Sequence, residues 1–425
     1  MRQPLYFTRA FLLLSLATVA QAQNHIERDI AYLDDLIRNG DIPQYQLSFI
    51  KSDGAVVSSR GHFANGIVPV DAVKADTVVS LLSMSKPITN LLTLRLVQKG
   101  YLKLDDPVSK YLPAFKNMAT TDESNETQRQ ILVRDLMIHT AGFAQNSEFL
   151  GWGEVSNLYQ TEGIFGLSCL AGKTKTSLGD VVNKMAGLPL KHKPGEKFSY
   201  SVATDVLGHI LELATKKDFD SLLSDYLSKP LGLKSLTTKV ATPDVDVAQL
   251  YEPIYKSYPV PGAYQRYKPF AQFEVDVVNA GIEPGCISPG NGLVATMKDM
   301  IALAQFLLND MKLDDGSEFL SNDLQRQVYT HQLDSELGKS PLRSSLAYAN
   351  KDGLTLGLLA IKIKAEGDLA DRTSHDYYYW SGFSGSGLWI DKKNNTAGIF
   401  LTQLYPSDKF LIPKLVAYTR DNFAR

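Results

Sequence analysis

Strand-like runs at the two ends of the chain constrain its fold more than anything between them. Gln44–Ile50 and Ala55–His62 are strand-like runs joined at Asp53-Gly54, a hairpin signal. Leu354–Ile363, Ser386–Ile390 and Thr396–Leu404 show the same character near the other end. Between them, from Ser83 to about Asp310, the pattern is mostly helical. Ile131–His139, Val202–Ala214, Phe219–Tyr226 and Met297–Leu308 carry a 3.6-residue apolar period. Helices are also expected over Ile26–Arg38 and Lys409–Phe423, and a surface loop over Asn117–Gln130. The simplest architecture is α+β: an antiparallel sheet with flanking helices built from both termini, plus an inserted, mostly helical subdomain. The expected division is a sheet unit over 23–82 and 340–425 and a helical unit over 83–339, with a cleft at their junction.

The 425 residues are 44% hydrophobic and 21% charged with a net charge of −2, an ordinary globular balance that points neither to nucleic acid nor to an anionic membrane surface. Arg2 and Arg9 precede a short apolar core, Phe11–Val19, and Ala20-Gln21-Ala22 fits the small-x-small cleavage rule. Residues 1–22 therefore read as an export signal cleaved before Gln23, giving a periplasmic or secreted protein. That apolar run is too short to span a bilayer, so no stable membrane insertion is expected. Cys169 and Cys286 can pair or stay reduced. The seven histidines are scattered, and neither a metal nor another cofactor is expected.

Ser83-Met84-Ser85-Lys86 carries the candidate chemistry. A helical apolar pattern follows it (Ile88, Leu91, Leu92, Val97) and runs to Gly100. Residues three apart on a helix lie roughly 60° apart on one face, so the two side chains can meet. An amine beside a serine can accept its proton, and a helix start offers N–H groups to an oxyanion. The plain alternative is a serine that caps the helix beside a solvated lysine. A second copy, Ser48-Phe49-Ile50-Lys51, lies in a strand-like run, where residues three apart point to opposite faces. It is set aside.

Two further stretches draw attention. Tyr200-Ser201-Val202 opens the helical run that follows Pro194-Gly195-Glu196. Its phenol is either a packing group or, near an ammonium such as that of Lys86, a base. Trp380-Ser381-Gly382-Phe383 follows an aromatic run, Tyr377-Tyr378-Tyr379, which suits sheet packing or a binding wall. Gly382 permits close backbone approach. The nucleophile-elbow pattern G-x-S-x-G is absent, its nearest miss being Gly382-Phe383-Ser384-Gly385-Ser386.

A serine-x-x-lysine at a helix start, then Tyr200-Ser201, then an x-x-glycine strand near the C-terminus resemble, in that order, the serine β-lactamase and penicillin-binding-protein superfamily. The match is nearest to its β-lactamase-related (family VIII) carboxylesterases. Leu104-Asp105-Asp106-Pro107, Val133-Arg134-Asp135-Leu136, His139-Thr140-Ala141-Gly142 and Tyr200-Ser201-Val202-Ala203-Thr204-Asp205-Val206-Leu207-Gly208 are similar to segments of that family. The resemblance implies a β-lactamase/transpeptidase-like fold. It implies Ser83 as nucleophile, Lys86 and Tyr200 as the groups that share its proton, and the N–H groups of Ser83 and Phe383 as the oxyanion hole.

Penicillin-active relatives carry Tyr-x-Asn and Lys-Thr-Gly, where this chain has Val202 and Trp380. Losing an amide and a cation weakens binding of an anionic amide substrate by a few kcal/mol. Val202, Trp380, Ser381 and Gly382 are therefore expected to line a site for a small or hydrophobic ester. Leu150–Leu170, with Trp152, Tyr159 and Phe165, is read either as another wall or as core. A β-lactamase, D-amino-acid peptidase or amidase stays open as an alternative, as does a catalytically idle binding or sensing protein. The expected partner is a small-molecule ester or amide, with the oligomeric state open.

Overall fold

A computed structural model describes residues 30–38, 42–51, 54, 56–63, 73–121, 129–146, 153–165, 176–239, 245–253, 267–269, 287–330, 332, 354–359, 361–363 and 377–404. The export signal, both cysteines, Trp152 and the helix expected at the C-terminus lie outside them.

Eleven strands are described: β1 Gln44–Lys51, β2 Val56–Phe63, β3 Val78–Ser80, β4 Tyr251–Pro253, β5 Tyr267–Pro269, β6 Val294–Thr296, β7 Leu354–Leu356, β8 Ile361–Ile363, β9 Tyr377–Ser381, β10 Gly387–Asp391 and β11 Thr396–Leu401. Seven of them form one sheet in the order β2-β1-β11-β10-β9-β8-β7. The early hairpin joins the late strands where β1 pairs antiparallel with β11, Gln46 facing Leu401 and Lys51 facing Thr396. β1 is buried at every position but Lys51, the pattern of a strand covered on both faces. The sheet is antiparallel throughout and the architecture is α+β, as expected.

Leu354–Ile363, read above as one strand, is two. β7 and β8 form a hairpin with Leu354 opposite Ile363. Leu358 and Leu359, between the two strands, are themselves apolar and buried, so the strand-like pattern of the sequence runs on through them.

The helix after Ser83, Ser85–Gln98, buries side chains around most of its circumference, Thr89, Asn90 and Thr93 included. Part of this buried polar surface is matched: Asn90 Nδ2 donates to the carbonyls of Met137 at 3.1 Å and Leu358 at 2.6 Å, while Asn90 Oδ1 has no partner among the described residues. Helix Met297–Leu308 is capped by Thr296, whose Oγ1 accepts from Asp299 N–H, and it packs on β1 and β11. The long middle segment is not purely helical. β6 pairs with β3, with Val78 opposite Thr296 and Ser80 opposite Val294. Pairs this short, drawn from distant parts of the chain, leave no periodic signal. They nevertheless set the approach to the site.

Candidate active site

The chain enters the site from β3. Leu81 N–H donates to Leu293 O at 3.0 Å, which ties the turn to the segment leading into β6. Leu82 adopts φ 45°, a left-handed conformation that costs an ordinary residue roughly 1–2 kcal/mol. A short 3-10 turn, Leu82–Met84, then runs into helix Ser85–Gln98. Strained residues of this kind collect where surrounding contacts over-determine the backbone. Ser83 lies inside the turn, half-buried, and its hydroxyl caps no helix N–H. The plain capping alternative therefore fails.

Lys86 is not solvated either, being 1% exposed. Its Nζ donates to Gly290 O at 3.0 Å, to Asn291 Oδ1 at 3.1 Å and to Ser83 Oγ at 3.4 Å. Three acceptors match the three protons of an ammonium, which is what a buried cation requires. Ser83 Oγ also bonds Asn291 Oδ1 at 3.1 Å. The half-buried Tyr200 stands against the same amine, its ring centroid 4.9 Å from Lys86 Nζ. Among the described residues the phenol joins the cluster through Lys86; the hydrogen bonds of Ser83 Oγ run to Asn291 and Lys86.

Tyr200 is placed by two adjoining segments. Ser199 N–H donates to His139 O at 2.8 Å, Gly195 N–H to Thr140 O at 2.8 Å and Val202 N–H to Ala144 O at 3.1 Å. The His139 ring packs on Tyr200 with centroids 4.7 Å apart. Burial, and secondarily the nearby Lys86 ammonium, push the His139 pKa down to about 3. At neutral pH it is an uncharged packing group.

From the other side β9 closes on the turn. A Cβ on Gly382 would stand 2.7 Å from Leu81 O, so only glycine lets the two backbones meet there. The Trp380 indole N–H donates to Ser83 O at 2.8 Å. Trp380 is 8% exposed and forms part of the wall of an apolar cavity of about 50 Å³ with Met84, Pro87, Ile88, Leu303 and Tyr378. Ser83 is not in that wall. Ser381 and Phe383 are half-buried beside it, whereas Val202 has no exposed surface. Tyr159 and Phe165 are buried in the core.

Sequence reasoning missed the segment before β6. Ser288-Pro289-Gly290-Asn291-Gly292-Leu293 is fastened to the nucleophile helix at several points. Thr89 Oγ1 donates to Pro289 O at 2.7 Å, and Leu293 N–H donates to Ser85 Oγ at 3.1 Å. It is fastened to helix Ala203–Thr215 by Asp205, whose Oδ1 accepts from Ser288 Oγ at 2.6 Å and Gly290 N–H at 2.9 Å. Asp205 is fully buried; burial raises its pKa, opposed by Lys86, Ser288 and Gly290. Asp205 among Ala203, Val206, Leu207 and Ile210 was the one available signal, a carboxylate at the start of an apolar helix. Among the described residues no group of acidic, His or Cys side chains could hold a metal ion, and no helix is long and apolar enough to cross a membrane.

The sequence matches a known family model along most of its length. The Beta-lactamase family model aligns with residues 30–418, and the chain belongs to that family. Esterase EstB of Burkholderia gladioli is 28% identical over 197 residues, which are 45% of this chain and 47% of EstB, so the matched stretch spans about half of that relative. Among solved structures, EstCE1, described as a hydrolase with promiscuous acyltransferase activity, superposes with a TM-score of 0.73 at 20% identity over 97% of this chain and all of its own. Unliganded simvastatin synthase (LovD) of Aspergillus terreus does so at 0.70 and 19%, covering 96% of this chain and 98% of LovD. These likenesses establish the β-lactamase/transpeptidase-like fold.

Proposed function

We propose that the chain is an exported serine hydrolase that cleaves small or hydrophobic carboxylic esters through an acyl-enzyme on Ser83. The observation that carries this reading is the buried Lys86 amine 3.4 Å from a half-exposed Ser83 hydroxyl that has no capping role. A buried cation lowers the cost of forming a serine alkoxide beside it. Ser83 Oγ turns from Asn291 and attacks the ester carbonyl carbon while its proton passes to the oxygen of Tyr200 acting as a phenolate, a form that the Lys86 cation against its ring favours. The oxyanion is taken by the N–H groups of Ser83, in a first turn without ladder acceptors, and of Phe383, next to the close-packed Gly382. The C–O bond breaks, the alcohol leaves with the proton, and water releases the acid by the reverse route.

Two features support an ester over a β-lactam. Trp380 places no cation at its position, and its N–H is engaged by Ser83 O. Val202 is buried and its side chain carries no polar group. EstB, which this chain matches over about half its length, is named an esterase, which supports the same choice. Turnover of 4-nitrophenyl butanoate by the mature protein, abolished in Ser83→Ala with the fold retained, is the expected outcome. Faster hydrolysis of a chromogenic cephalosporin than of the ester would favour the β-lactamase reading. A persistent acyl adduct without turnover would favour a sensor. Export predicts that the mature chain begins at Gln23, which N-terminal sequencing of the exported protein checks.

A further inference from the structure

Asn291 is bound to the reacting centre by its oxygen alone. Lys86 can only donate, so the Asn291 atom 3.1 Å from its Nζ must be the oxygen, and Ser83 Oγ bonds that same oxygen. This fixes the orientation of the amide and turns its NH2 group the other way. Among the described residues that NH2 finds no protein acceptor, yet it is not one of the buried polar atoms left unpartnered; Asn291 keeps 8% of its surface open. The backbone beneath it is rigid, with Asn291 N–H and Gly292 N–H both donating to Ser288 O and Gly290 held by Asp205. A fixed amide beside a nucleophile, acceptor side engaged and donor side open, is a recognition element for an oxygen on the substrate.

We propose that Asn291 is a specificity residue of this site. Its Oδ1 holds Lys86 and Ser83 in place, and its Nδ2 donates to a hydrogen-bond acceptor carried on the acyl group near the scissile carbonyl. The preferred substrates are then esters of oxygen-bearing acids, such as alkoxy- or acyl-substituted acids, over plain alkanoates of the same size. The inference rests on the reading of Ser83 as nucleophile.

The test compares an isosteric pair, 4-nitrophenyl methoxyacetate and 4-nitrophenyl butanoate, on wild type and variants. The readout is the ratio of the two kcat/KM values, in which effects common to both substrates cancel. Asn291→Asp keeps an oxygen for Lys86 and Ser83 but loses the donor, and is expected to lower the methoxyacetate-to-butanoate ratio about tenfold relative to wild type. Asn291→Ser, which adds no charge, should lower it in the same direction, and thermal unfolding shows whether each variant is folded. An unchanged ratio in a folded variant, with both rates falling together, overturns the proposal and leaves Asn291 as a holder of Lys86. Ser83→Ala on the same pair separates the two readings. If it is inactive and the ratio is unchanged, only the Asn291 proposal falls; if it retains wild-type turnover, both fall.

Discussion

The chain carries Ser-x-x-Lys twice, and the two copies share nothing beyond composition. In β1, Ser48 is buried without a hydrogen-bond partner for its hydroxyl, and Lys51 is exposed at the strand end. At Ser83 the same spacing lies on a helical turn, so serine and lysine share a face, and Lys86 is the buried member. Secondary structure decides whether the two groups can touch. What surrounds the helix then decides whether the amine stays in water.

The largest expected difference between the copies is in turnover. Lys86→Met should lower kcat on an aryl ester by three or more orders of magnitude, since it removes the buried cation from the nucleophile. Lys51→Met should leave kcat within twofold, as steady-state assays of both variants would show. Next comes Tyr200→Phe, which keeps the ring on His139 and Lys86 but removes the phenol; a loss of about a hundredfold in kcat is expected from the role of proton acceptor. Wild-type rates in that variant would remove Tyr200 from the mechanism.

A pH experiment sharpens the contrast between the polar cluster and the packing beside it. His139 has a folded-state pKa of about 3, below the ordinary value of 6.5, so the unfolded chain binds its proton more readily. Its contribution is fully present above pH 6.5 and is lost as pH falls toward 3, at about 1.4 kcal/mol per unit. Urea unfolding of wild type and His139→Gln between pH 7 and 4 should show a shallower decline in the variant. Equal slopes would mean that His139 is not buried neutral. The smallest effect belongs to the silent copy. Ser48→Ala removes a buried, unpartnered hydroxyl, so stability should change by less than about 1 kcal/mol, measured by the same unfolding assay.

Much of the fold was legible locally because its signals are local. The hairpin at Asp53-Gly54, the helix at Met297–Leu308 and the late strands announce themselves through turn residues and apolar period. Their pairing followed because the mostly helical middle of the chain offers no comparable strand-like run. The β7–β8 turn escaped because its own residues are buried and apolar. Within the site, Ser83 and Lys86 are one helical turn apart and can be read together, while Tyr200 entered through resemblance.

By itself the sequence determined the α+β class, the helical turn that lets Ser83 and Lys86 meet, and the absence of a cation at position 380, since spacing and side-chain type carry each of these. Only the tertiary structure decided that Lys86 is an enclosed cation, that Trp380 braces the Ser83 carbonyl, and that Asn291, Gly290 and Asp205 belong to the site at all. Hydrogen bonds joining residue 86 to residues 290 and 291 depend on how β3 pairs with β6. A contact across that much chain has no periodicity to reveal it.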